Sequence, residues 1–168
     1  MANETYVLFE LAGTTYALPS REVQHIEMLD HVTPVPNANP AVEGVIFSRG
    51  QVIPAMNLRM RFGFPREPHT LRTRVIVVDI HQRTVALIVD AAREFRAIPD
   101  NAIRSIDETL AGVDRNYLRG VATLNDRLIL LLNLAAVLNH GGAGRMIDTA
   151  RGLAAVPSSS TEAVHANP

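Results

Sequence analysis

The sequence predicts a mainly β protein built from two copies of one small β-barrel plan. Three observations carry this. Short apolar runs with strand alternation are punctuated by turn residues. A hairpin-like segment recurs after a shift of 69 residues, and a strand–turn–strand–helix segment recurs after a shift of 76. The second echo holds five identities in fifteen positions, where ordinary residue frequencies give about one.

The first run is Tyr6 to Leu11, with Val7, Phe9 and Leu11 on one face. After the turn Ala12-Gly13-Thr14, the run from Thr15 to Leu18 completes a hairpin. Val75 to Ile80, His81-Gln82-Arg83 and Thr84 to Val89 repeat the plan, with Glu10 and Asp79 in the same slot. Gly44 to Leu58 then aligns with Gly120 to Leu134 through Gly44/Gly120, Val45/Val121, Ile53/Ile129, Asn57/Asn133 and Leu58/Leu134. The four apolar or Gly pairs predict matched strands, with Val45, Ile53, Val121 and Ile129 buried. The turns are Ser48-Arg49-Gly50 and Asn125-Asp126. Each copy ends in a short helix that begins at an Asn able to cap free amides, Asn57 or Asn133. Gly63 and Gly141 tolerate the left-handed conformation that stops a helix.

The pseudo-repeats run over about 4–66 and 72–140, joined by the polar link Pro65 to Thr73. The second copy has a longer middle, Ile98 to Asn116, which reads as loop with one helical turn. Each copy supplies four to five short strands, enough for a small closed barrel with no free edges; two copies are too few for a solenoid. Leu128-Ile129-Leu130-Leu131-Leu132 is apolar on both faces, which predicts a buried interface shared by the two barrels. Residues 141–168 read as a flexible tail: Gly141-Gly142-Ala143-Gly144 is a soft joint, Arg145 to Leu153 is compatible with a transient helix, and Pro157 onward has few apolar residues.

Composition excludes several function classes. No Cys is present, which removes disulfides, thiolate metal sites and cysteine nucleophiles. All sixteen basic residues are Arg, so no catalytic or Schiff-base Lys and no P-loop Lys exists. A net charge of -1, 5% aromatics and no Trp argue against a nucleic-acid grip. The N-terminus has no signal-peptide pattern, and no apolar stretch approaches a bilayer span. The expectation is a cytoplasmic protein of 168 residues.

No catalytic constellation emerges. The six His residues form no ligand-spaced pair, so no metal is expected. Phe47-Ser48-Arg49-Gly50 lacks a nucleophile elbow, and no Gly-rich loop opens a helix after a strand. Asp107-Glu108 reads as a solvated pair, and Arg72 with Arg74 as ordinary surface. Neither a catalytic residue nor a cofactor is expected. The unusual feature is the turn Arg. From physics alone it is first a solvated surface residue; its five-donor fork is also free for a partner's carboxylates or carbonyls. The sister turn has no Arg, so the fold does not require one.

The segment Gly44-Val-Ile-Phe-Ser-Arg-Gly-Gln-Val-Ile-Pro-Ala-Met-Asn-Leu-Arg59 resembles the signature of the CheW-like chemotaxis coupling family, Gly-Val-x-Asn-Leu-Arg-Gly-x-Ile-x-Pro-x-x-Asp-Leu-Arg. Tyr6 to Ile26, Val75 to Asp90 and Tyr117 to Leu138 are similar to its other strands, so the resemblance covers about 4–140. It implies two SH3-like five-stranded β-barrels in pseudo-twofold arrangement. It also implies a non-catalytic adaptor that joins the cytoplasmic tip of methyl-accepting chemoreceptors to the regulatory domain of a CheA-type histidine kinase. By that resemblance Phe47, Ser48, Arg49 and Gly50 form the receptor contact, and Val23, His25 and Ile26 meet the kinase. Such an adaptor is cytoplasmic, is recruited to membrane-associated receptor arrays, does not insert into the membrane and binds no nucleic acid. The chain departs from the pattern at Phe47-Ser48 (Asn-Leu in the family), at Asn57 (Asp) and at His25, where an acid is common. The rival reading is a β-barrel module for oligonucleotide or a small ligand. An enzyme on a split barrel is a weaker rival still, and a receiver-domain fusion does not fit a chain with only a short segment after residue 140.

Overall fold

The computed structural model describes residues 3–106 and 117–139. The tail 141–168, Gly141, and Asp107-Glu108 lie outside the described residues, as does part of the segment expected as a loop. The strands are β1 (Asn3–Leu11), β2 (Thr14–Pro19), β3 (Val23–Met28), β4 (Val42–Ser48), β5 (Gln51–Asn57), β6 (Arg74–Ile80), β7 (Arg83–Val89), β8 (Ala91–Pro99), β9 (Ile103–Arg104), β10 (Leu118–Leu124) and β11 (Arg127–Leu132). Two short helices, α1 (Leu58–Arg61) and α2 (Leu134–Asn139), follow β5 and β11. The chain is mainly β, as the alternation predicts.

Among the described residues four hairpins turn on two residues, both at positive φ: Ala12-Gly13 (49° and 80°), Arg49-Gly50 (46° and 80°), His81-Gln82 (50° and 64°) and Asn125-Asp126 (49° and 62°). These are type I′ geometries, whose twist matches that of the flanking strands. The turns are tighter than the sequence suggests. Ser48 is the last residue of β4, paired with Gln51, and only Arg49 and Gly50 form the loop.

The strands make two sheets, in the orders β8-β1-β2-β11-β10-β9 and β3-β6-β7-β5-β4. The two sequence copies exchange hairpins. β1–β2 of the first copy sits among the strands of the second, and β6–β7 of the second sits among those of the first. The exchange is reciprocal: replacing each strand by its counterpart converts one order into the other, with β9 added. Registers agree too. The parallel junction pairs Ala55 with Ala86 in one sheet and Leu131 with Ala17 in the other, positions related by the same shifts of 76 and 69. Both β4–β5 and β10–β11 slip register at the glycine of the echo, between Val42 and Gly44 and between Leu118 and Gly120.

The expected closure is not reached: β3 and β4 end their sheet without pairing with each other. The free edge of β4 is taken instead by an incoming loop, through a bridge in which Thr33 N–H donates to Val45 O at 2.9 Å and Val45 N–H to Thr33 O at 2.8 Å. In the other sheet β9 takes the same place, Arg104 facing Val121. The space a closing ladder needs is thus already filled, and each unit is a curled sheet with a seam.

Each curled sheet encloses its own small core, Tyr6, Leu8, Ala17, Ile98, Ile129 and Leu131 in one, and Ile46, Ile53, Ala55, Val75, Val77 and Ile88 in the other. A third and larger core lies between the sheets and draws on both, including Val7, Phe9, Leu18, Met56, Ile76, Leu87, Leu132 and Leu138. β1, β6 and β11 therefore bury alternate residues in two different cores, which is why they read as apolar on both faces. Burying one such Leu, Ile or Phe stabilises by about 1.5–3 kcal/mol. Of the four matched apolar positions, Ile53 and Ile129 are buried, whereas Val45 and Val121 are half-buried beside the bridge strands.

The Asn caps form as predicted. Asn57 Oδ1 accepts from Met60 N–H and Asn133 Oδ1 from Ala136 N–H, each at 3.3 Å. Arg59 on α1 makes a two-bond contact with Asp90, at 2.8 and 3.0 Å from Nε. Asp90 Oδ2 also accepts from Ala12 N–H at 2.9 Å, so this carboxylate locks α1, the β1–β2 turn and the β7–β8 junction together.

Glu22, just before β3, is less well placed. Its Oε2 is buried without a hydrogen-bond partner among the described residues. Desolvation raises its pKa above the ordinary carboxylate value, against the pull of Arg119, Arg21 and His81. A raised pKa means that the folded state binds this proton more tightly than the unfolded chain. The stabilisation is fully present below the ordinary Glu range and is lost as pH rises through the raised value. Glu22→Gln keeps the protonated shape and removes that loss. The variant is expected to melt roughly 1–3 °C above the parent at pH 7, a small effect because part of the side chain still meets water. The difference should vanish by pH 3–4, about the ordinary Glu range and below. Thermal unfolding of both proteins across that range checks this, and equal curves at pH 7 would show that Glu22 is adequately solvated.

Candidate functional site

The β4–β5 hairpin places the four predicted receptor residues in two distinct environments. Phe47 is 74% exposed on the outer side of β4, whereas Ser48 is buried on the inner side at 6%. Arg49 and Gly50 stand exposed at the tip. Arg49 has no ion-pair or hydrogen-bond partner among the described residues, and a non-glycine residue at a φ of 46° carries a strain of about 1 kcal/mol. Gly50, at 80°, is at a position that most side chains resist.

The three predicted kinase residues lie on β3, the other end of the same sheet. Val23 and Ile26 are half-buried against the central core. A register slip between Val23 and His25 makes Gln24 a bulge and turns His25 and Glu27 toward the inner side. The structure brings His25 together with Ser48. His25 Nε2 is 2.9 Å from Glu27 Oε2 and 3.2 Å from Ser48 Oγ, and Ser48 Oγ donates to Glu27 Oε2 at 2.9 Å. These three side chains bridge the seam between β3 and β4, where no backbone ladder runs. Sequence reasoning missed Glu27. Its only available signal was an acid two residues from His25, hence on the same face of a strand.

Ser, His and Glu in contact invite a catalytic reading, which the geometry rejects. A hydroxyl–imidazole–carboxylate relay uses one ring nitrogen for the hydroxyl and the other for the acid. Here both partners meet Nε2, and the Ser48 hydroxyl donates its hydrogen bond directly to Glu27. Glu27 is thus the acceptor at the centre of a structural cluster. Among the described residues no three His, Asp or Glu side chains converge as a metal site.

Beside the cluster a shallow cleft runs along the seam, lined by Leu29, His31, Ile46, Met28 and Phe47. Met28 is 62% exposed and, with Phe47, flanks this cleft with bare apolar surface. At the sister seam the counterparts of His25, Glu27 and Ser48 are Glu94, Arg96 and Leu124, by the same shifts of 69 and 76. There Arg96 Nε lies 3.6 Å from Glu94 along one strand, and Leu124 offers no polar atom to cross the gap. A stitched seam is therefore a property of one sheet and not of the fold.

Comparison with known proteins places this geometry. Residues 5–142 match the sequence pattern of the CheW-like domain. The chain is 28% identical over 143 residues to the chemotaxis protein CheW of Klebsiella aerogenes, covering 83% of this chain and 86% of that one. It is 29% identical over 136 residues to the chemotaxis protein CheW of Bacillus subtilis, covering 81% and 87%. The crystal structure of the scaffolding protein TtCheW from Thermoanaerobacter tengcongensis superposes with a TM-score of 0.77 at 28% identity, over 84% of this chain and 96% of that one. No helix among the described residues is long and apolar enough to cross a membrane. The family match, the paired curled sheets and the signature hairpin agree, and the chain belongs to the CheW-like family.

Proposed function

We propose that this chain is a non-catalytic cytoplasmic adaptor. It couples the cytoplasmic tip of methyl-accepting chemoreceptors to the regulatory domain of a CheA-type histidine kinase, within membrane-associated arrays. The observation that carries the reading is Arg49. An unpaired guanidinium is held at a strained turn tip beside exposed Phe47, in the slot where the family signature has its own Arg. The fold needs no Arg at this turn, since the sister hairpin has Asn125-Asp126 there, and the exposed fork of Arg49 is free to meet a partner's carboxylates or carbonyls. The CheW relatives in Klebsiella and Bacillus, and the scaffolding CheW structure, support the same role.

Arg49→Ala is expected to lower receptor-tip affinity by roughly 10- to 150-fold, the worth of one charge-assisted, partly desolvated contact of about 1.5–3 kcal/mol. Stability should hold, since Arg49 supports nothing else. Arg49→Lys should restore only part of the loss, because an ammonium lacks the planar fork. Gly50→Val should also weaken binding but through the backbone: a Cβ there meets nothing within 4 Å, yet the φ of +80° resists a branched side chain. Calorimetry with a soluble receptor-tip fragment checks all three. Normal receptor binding and kinase activation by Arg49→Ala would make Arg49 an ordinary solvated residue and remove the reading's main support.

A further inference from the structure

We infer that the mouth of the β1–β2–β8–β10–β11 sheet is a binding site for a small monocarboxylate with an apolar body. A cleft of about 240 Å3 opens there, beside the Asn125-Asp126 turn. Leu8, Leu124 and Ile129 form its floor, and Glu94, Arg96 and Arg127 its rim. Register explains why these residues meet. Ile98 and Ile129 point into the small core of this sheet, so Arg96 and Arg127, each two residues away, point to the same side, one step nearer the opening. Glu94 stands opposite Leu8, whose side chain also faces that core. The site is on the other sheet from β3 and the Arg49 turn.

The sister sheet closes the same opening with its own side chains. At the matching positions His25, Glu27 and Ser48 bond to one another, and Gln51 takes the place of Arg127. In the second sheet Arg96 leans along its strand to Glu94 at 3.6 Å, and Leu124 reaches for neither. Arg127 has no hydrogen-bond or ion-pair partner among the described residues. Two guanidiniums against one carboxylate leave a single positive charge over an apolar floor. That balance suits a monoanion, since Glu94 would repel a second negative charge. The planar fork of Arg127 matches a carboxylate in two-bond contact, and Thr15 and Asn125 add neutral hydrogen-bonding groups to the wall. Leu8 and Ile129 are nearly fully buried, so the ligand's apolar body meets a firm surface at the mouth of a barrel-like sheet, a common place for small ligands.

The test titrates the full chain with hexanoate and follows the methyl NMR signals of Leu8, Leu124 and Ile129. A ligand of about eight non-hydrogen atoms in so open a site is expected to bind with a Kd of roughly 0.1–1 mM and to shift all three residues. Hexanol, which lacks the charge, and acetate, which lacks the body, should each bind at least about tenfold more weakly. Arg127→Gln installs the residue of the sister mouth at an exposed position and should weaken hexanoate by about tenfold or more. Arg66→Gln, in the link between the copies, removes the same charge elsewhere and should change nothing. Glu94→Gln frees Arg96 and lifts the repulsion, so it should tighten binding by about two- to fivefold, a gain that no purely structural role of Glu94 produces. No binding at about 10 mM hexanoate overturns the inference, as do unmoved methyl signals, hexanol binding as tightly as hexanoate, or equal effects of Arg127→Gln and Arg66→Gln. A short peptide amide with adjacent Leu and Glu, acetylated at its N-terminus, should also bind no better than hexanoate. Binding more than about tenfold tighter would assign the mouth to a partner's side chains and overturn the small-acid assignment.

Discussion

Gly44→Ala is expected to cost about 4–5 kcal/mol or more, enough to remove most or all of the folded population of an ordinary domain. A Cβ at this position would stand 1.9 Å from Thr33 O, 2.6 Å from Thr33 C and 2.9 Å from Pro34 Cα, all backbone atoms. Thr33 cannot step aside, because its N–H and C=O are both bonded to Val45. The φ of +153° at Gly44 is also one that L side chains rarely adopt, which adds strain of about 1–3 kcal/mol. The counterpart Gly120 has a milder version of the same contact. Its Cβ would lie 2.9 Å from Arg104 O and 3.1 Å from a methyl of Ile103, and its φ is unremarkable. Gly120→Ala should therefore cost less, about 1–3 kcal/mol, with a small shift of β9. Urea unfolding of the two variants checks both size and order. A Gly44→Ala protein within about 1 kcal/mol of the parent would mean that the Thr33 loop moves away easily, contrary to its two hydrogen bonds.

The same glycines show what the sequence can and cannot convey. The two-copy plan is legible because each copy needs the same local devices: a glycine where a bridge strand passes, a two-residue turn, an Asn cap. Gly44/Gly120 and Asn57/Asn133 are identical for these physical reasons. The exchange of hairpins is not legible, because β1–β2 and β6–β7 have matching apolar faces and either could complete either sheet. What decides is the long-range parallel pairing of Ala55 with Ala86 and Leu131 with Ala17, which leaves no local signature. β8 hides for another reason. A register slip between Leu8 and Phe9 on its partner breaks the alternation of Ala-Ala-Arg-Glu-Phe-Arg. At the site, Arg49 is legible through its motif. The Glu27 bridge is not, since it joins residues 21 apart across a seam that exists only once the sheet has curled.

Ile26→Glu carries the second large effect. It is expected to weaken binding of a CheA-type regulatory domain by several kcal/mol, at least about 100-fold, by placing a charge in an apolar contact. Ile26 is opposite Ile76 on the outer side of β3 and packs in part against the central core, so part of the damage falls on folding. A loss of about 1–3 kcal/mol in stability is expected alongside. The two effects separate by comparison with Phe95→Glu. Phe95 occupies the equivalent slot on β8, opposite Val7, but is 61% exposed. That variant should lose less stability and keep its kinase affinity within about threefold, well under the 1.4 kcal/mol of a tenfold change. Because side chains alternate along a strand, Ile26 points away from His25 and Glu27, and neither variant disturbs the bridge to Ser48. Binding should therefore be measured by calorimetry where circular dichroism finds Ile26→Glu folded. A folded Ile26→Glu protein with parental affinity would remove β3 from the kinase surface; equal losses from Ile26→Glu and Phe95→Glu would mean that the kinase domain reads both copies.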